Sequence, residues 1–98
     1  MDAIEKQTKE AAIWLYQNKE HQAYDWIQQH LNDIQMHLLE ILQRLENYPG
    51  INYQEVAQLV VIILQRILQF YQQGKILELA DCLYFEISEF EKLEELCK

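Results

Sequence analysis

Three stretches of the chain set apolar residues at alternating intervals of four and three. The first is Ile27, Leu31, Ile34, Leu38, Ile41, Leu45; the second is Val56, Val60, Ile63, Ile67, Phe70; the third is Ile76, Ala80, Leu83, Ile87, Phe90. That interval keeps a single apolar stripe on one side of a helix along its whole length, so each stretch predicts a helix that lies against partners. A fourth and weaker pattern, Ile4, Ala11, Ala12 and Leu15, predicts a shorter helix over residues 2–17. The long helices fall over roughly 19–47, 53–73 and 75–97.

The punctuation between them has a physical basis. Pro49 disfavours helical backbone at Tyr48, and Gly50 accepts positive φ. Asn52 followed by Glu55 resembles a capping box, with Ile51 and Val56 at the positions of a hydrophobic staple. Gly74 stands where a left-handed residue ends the third helix. Asn18 reads as a cap that opens the second helix, ahead of Lys19, Glu20 and His21, with one kinked helix across the position as the alternative. Short connections make consecutive helices antiparallel. The expected architecture is an all-α, up-and-down bundle of about four antiparallel helices, forming a single domain over residues 1–98. The first helix should lie across the groove of the other three or pair with another copy. The centre of the third, Leu59 to Leu64, is apolar on nearly all sides. That predicts either the central helix of the bundle or a subunit interface.

Composition narrows the class. Half of the 98 residues are apolar, with two glycines and one proline, which suits a helical core. The net charge of −8 disfavours nucleic acid and anionic membrane surfaces as partners, since both demand lysine and arginine. No apolar run is long enough to cross a bilayer, and Met1-Asp2-Ala3-Ile4-Glu5 lacks the basic start of a signal peptide. Cys82 and Cys97 are too far apart on one helix to pair, and two free thiols suit a cytoplasmic protein. The thirteen glutamines are scattered through the periodic segments and read as surface residues.

Candidate chemistry is sparse. His30, Asp33 and His37 share one flank of the second helix. The two histidines are two turns apart, roughly 10 Å, which is too far to share a metal without help from another helix, and the flank reads as solvated. Glu78 and Asp81 form a Glu-x-x-Asp pair of the kind that holds Mg²⁺ in small all-α nucleotide pyrophosphohydrolases. Such a site needs a second acidic cluster on an earlier helix, and the third helix offers only Glu55. The acidic end of the fourth helix, Glu89, Glu91, Glu94 and Glu95, reads as a solvated run that a basic partner could meet. Trp14 and Tyr16 fall off the buried stripe of the first helix. With Trp26, they are the aromatic residues expected to anchor a partner. Asp81 and Glu86 flank the core face of the fourth helix. Each can accept a hydrogen bond from a tyrosine hydroxyl, from Arg44 or Arg66, or serve a partner.

The segment Leu79-Ala80-Asp81-Cys82-Leu83-Tyr84-Phe85-Glu86-Ile87 resembles a Leu-Ala-Asp-x-Leu-x-Tyr-Glu-Leu motif of small all-helical proteins of Gram-positive bacteria. Phe85 takes the place of its tyrosine and Ile87 that of its last leucine. Ala12-Ile13-Trp14-Leu15-Tyr16-Gln17-Asn18-Lys19 is similar to the opening of the same family, with Asn18 in place of a glycine. The family carries no settled activity to transfer. The helix order also resembles, as architecture alone, that of flagellar export chaperones. These readings converge on a non-catalytic cytoplasmic bundle without a cofactor or metal. It would act through protein contacts, as a homodimer or as a chaperone- or adaptor-like protein. The enzyme alternative is Mg²⁺-dependent nucleotide hydrolysis at Glu78 and Asp81.

Overall fold

A computed structural model describes residues 3–97, and of Ala3, Glu94, Leu96 and Cys97 the backbone alone. Helix α1 runs over Ala3–Tyr16, α2 over Glu20–Leu45 and α3 over Tyr53–Gln73. The last rod is α4 over Ile76–Asp81, a π-helical turn over Cys82–Glu86, and α5 over Ile87–Cys97. Among the described residues there is no strand, and the helices pack on one another as an all-α bundle.

The boundaries follow local chemistry. The Asn52 side chain accepts a hydrogen bond from the Glu55 backbone N–H at 3.3 Å, which starts α3. Gly74, at φ +67°, ends it, with the Lys75 N–H turned back to the Phe70 carbonyl. Asn18 works differently from the expected cap. It sits at φ +63° and closes α1 from behind: its N–H reaches the Leu15 carbonyl, and the Lys19 N–H reaches that of Trp14. This is the Schellman arrangement, and asparagine is the residue after glycine that best tolerates it. The chain therefore breaks between α1 and α2, so the kinked single helix does not form. Lys19 precedes α2 without any side-chain cap.

Helix α2 carries the core. Ile27, Ile34, Leu38, Ile41 and Leu45 are buried, Leu31 half-buried. Val56, Val60, Ile63 and Ile67 of α3 close on one side, while Leu79, Ala80, Leu83, Ile87 and Phe90 of the last rod close on another. Ala11, Ala12 and Leu15 of α1 fill the seam between α2 and α4 in the same chain. Two alanines there let the helix backbones approach closely. At 1.5 Å per residue α1 spans about 21 Å against about 39 Å for α2. It therefore covers one half of the bundle, where it meets α2, α4 and the π turn. In the other half α5 leans directly on α2.

There the sequence expectation is overturned. His37 and Glu91 are not solvated: they are 6 % and 9 % exposed, and His37 Nε2 lies 2.8 Å from Glu91 Oε2 across the α2–α5 seam. A carboxylate taken out of water is tolerable only with such a partner. Of the two alternatives for α3, the central helix is not realised: α3 is not wrapped by neighbours, and Leu59, Val61, Ile62 and Leu68 stay 40–52 % exposed.

The buried pair yields a double-mutant test. Glu91→Ala should lower unfolding stability by about 3 kcal/mol by removing the buried carboxylate that His37 Nε2 contacts. His37→Leu with Glu91→Leu should recover most of that loss, as read by urea denaturation.

Candidate functional site

The exposed face of α3 is ordered. At 100° per residue, Gln54, Gln58, Gln65, Gln69 and Gln72 share its outermost line, and all five are exposed. Apolar residues flank that line on both sides. Val61, Leu64 and Leu68 lie toward α2, and Leu59, Ile62 and Phe70 lie toward the last rod.

Each flank borders a groove. Toward α2, Leu31, Asn32, Gln35, Leu64, Ile67 and Leu68 line a groove of about 350 Å³ with no charged residue among the described ones. On the other side α3 packs against α4 and the π turn but is not closely packed against α5. The separation opens a groove of about 260 Å³ lined by Leu59, Ile63, Glu86, Glu89, Phe90 and Leu93. Beside it, sharing Glu86, lies a shallower one of about 420 Å³ bounded by Arg66, Phe70, Glu78, Asp81, Cys82 and Phe85. Together they form one trough along α3.

The π turn shapes the middle of this trough. Its closing N–H, from Ile87, bonds back five residues to the Cys82 carbonyl, so the turn holds one residue more than an α turn. Phe85, at 54 % exposure, stands out from the turn with its ring edge to Tyr84, centroids 4.9 Å apart. Glu86 forms an ion pair with Arg66 of α3. Cys82 is a free, buried thiol beside that carboxylate. Burial first, and then Glu86, push its pKa up to about 12 against a small opposing pull from Arg66.

The residues expected to bind a partner are largely engaged within the chain. The Tyr16 hydroxyl donates to Asp81 Oδ1 at 2.5 Å, tying α1 to α4. Burial, the bond to Asp81, the charge of Asp81 and that of Tyr84, in that order, raise the Tyr16 pKa to about 12. Trp14 is half-buried and packs on the core. Trp26 is half-buried and stacks on His30, centroids 4.6 Å apart, while His30 Nδ1–H donates to the Trp26 carbonyl at 2.8 Å. Asp81 and Glu86 are indeed acceptors for a tyrosine and an arginine, as the flanking positions suggested.

The Glu78–Asp81 pair gains no metal partner from α3. Antiparallel connection puts Glu55 at the far end of α3, roughly 20 Å along the helix axis. Among the described residues no three His, Cys, Asp or Glu side chains converge to hold a metal ion. Sequence reasoning flagged the apolar run Leu59 to Leu64 as a possible interface, and Leu59 and Ile62 are indeed exposed. It did not single out Phe85 as a surface residue, because the exposure of that side chain goes with the π turn, which residue spacing does not reveal.

Set beside protein families, curated proteins and solved structures, the chain matches none of them.

Two measurements probe the site's bonds. An unfolded tyrosine titrates near 10, whereas Tyr16 in the folded chain titrates near 12. The folded state therefore keeps a proton that the unfolded state releases. The resulting stabilisation is full below pH 10 and disappears as pH rises toward 12. Tyr16→Phe should cost under about 1 kcal/mol at neutral pH, because the pair is partly exposed. It should also flatten the loss of stability between pH 10 and 12, read by urea midpoints. In a Cys97→Ser background, Cys82 should react with iodoacetamide only slowly at neutral pH and rapidly once urea unfolds the chain.

Proposed function

We propose that the chain is a non-catalytic, cytoplasmic helical-bundle protein that works through protein–protein contacts, with α3 as its docking helix. One observation carries this reading. Leu59, Val61, Ile62 and Leu68 remain 40–52 % exposed on a helix whose outer line is already supplied with glutamines. Paired apolar flanks of this kind mark association sites. Their placement suits an adaptor- or chaperone-like role, in which one helix serves two partners.

Self-association belongs on the α2 side. Two copies at −8 each repel at long range, so they meet best through a surface without charge. The groove of Leu31, Asn32, Gln35, Leu64, Ile67 and Leu68 has that composition. A cytoplasmic setting fits the free buried thiol of Cys82, and no helix among the described residues is long and apolar enough to cross a membrane. Against Mg²⁺-dependent hydrolysis stands the use of Asp81 by Tyr16.

Sedimentation equilibrium tests the reading. The chain should self-associate in the micromolar range, and Val61→Asp with Leu68→Asp should weaken the association at least about tenfold, or about 1.4 kcal/mol. A chain that stays monomeric throughout that range would contradict the homodimer.

A further inference from the structure

We propose that the trough between α3 and the last rod seats a basic amphipathic helix from another protein. The inference deepens the reading of α3 as a docking helix and names the chemistry of one partner. Its floor is apolar: Leu59, Ile63 and Phe90 line the upper part, and Phe70 and Phe85 the lower. Its rim is acidic, with Glu78, Asp81, Glu86 and Glu89 along one side.

Charge selects the occupant. Arg66 is the one cation among the lining residues, and Glu86 already holds it. Asp81 holds the Tyr16 hydroxyl. Glu78 and Glu89 have no ion pair among the described residues, so the rim retains uncompensated negative charge. A second copy of this chain, at net −8 itself, would be repelled by that rim. A segment with lysines or arginines flanking an apolar stripe satisfies both floor and rim.

Shape favours a helix. From Leu59 to Phe70 the trough follows α3 for about 16 Å, three turns of a parallel rod. A helix laid into it would present residues at i, i+4 and i+7 to the floor, in the recurring helix-in-groove mode of recognition. Phe85 is the natural anchor, because it stands exposed from the π turn and lines the groove together with Phe70.

The test uses the full chain and a labelled synthetic peptide of about 14 residues, roughly 21 Å as a helix. It carries leucine at i, i+4, i+7 and i+11 and lysine at most other positions. Fluorescence anisotropy should show saturable one-to-one binding that weakens with added salt. Replacing the lysines by glutamate, or the leucines by serine, should each weaken binding at least about tenfold. Phe85→Ser, and separately Glu78→Gln with Glu89→Gln, should do the same with unchanged circular dichroism, since these side chains are exposed or at the groove rim.

Asp33→Asn with Glu40→Gln removes the same charge from the exposed face of α2 and should leave the affinity unchanged. Equal weakening by that α2 pair, equal binding of the leucine-free peptide, or no saturable binding overturns the proposal. So does loss of self-association on Phe85→Ser without peptide binding, which would assign the trough to a second copy. A monomeric chain that binds the peptide sinks the homodimer and supports the trough. A self-associating chain that ignores the peptide overturns the trough alone.

Discussion

Every other feature of this protein hangs on the apolar seam of α2. Ile27, Ile34, Leu38, Ile41 and Leu45 are buried along more than 25 Å of one helix, with residue spacing fixing that length. Each fully buried side chain of this size contributes about 1.5–3 kcal/mol relative to exposure. Helices α1, α3 and α5 all pack against α2. None of them has enough apolar surface of its own to fold alone, so α2 sets where each must lie.

The lengths of the rods then decide where polarity enters the interior. Helix α1 ends about halfway along α2, and beyond it α5 takes its place on the seam. His37 and Glu91 meet at that position, buried and 2.8 Å apart. At the other end the polar ties are more exposed: Tyr16 with Asp81, and Arg66 with Glu86. Polar contacts thus pin the last rod to α1 through Asp81, to α3 through Glu86 and to α2 through Glu91. Hydrophobic burial is non-directional, and these contacts supply the register that burial leaves open.

The same rod leaves α3 partly uncovered. It packs on α3 through α4 and the π turn and then swings toward α2, where Glu91 holds α5 to His37. The divergence opens the acidic trough beside Leu59 and Phe90. The packing of α5 on α2 thereby leaves a groove between α5 and α3.

How far this was legible in the residues varies with the range of the interaction. Helix existence, the span of α3, its start at Asn52 and its end at Gly74 depend on neighbours within a few positions, and the sequence by itself determined them. The all-α class and most of the buried stripe follow from spacing alone. Asn18 shows the first limit: asparagine serves equally to begin a helix or to end one, and only its left-handed backbone distinguishes the roles. The π turn shows the second, because Ala80, Leu83, Ile87 and Phe90 keep the same spacing whether or not the helix widens between them. Only the tertiary structure decided which carboxylates are buried and which flanks stay open. His37 and Glu91 are 54 positions apart, and Tyr16 and Asp81 are 65. Their pairing depends on the relative lengths and tilt of whole helices, which no local pattern encodes.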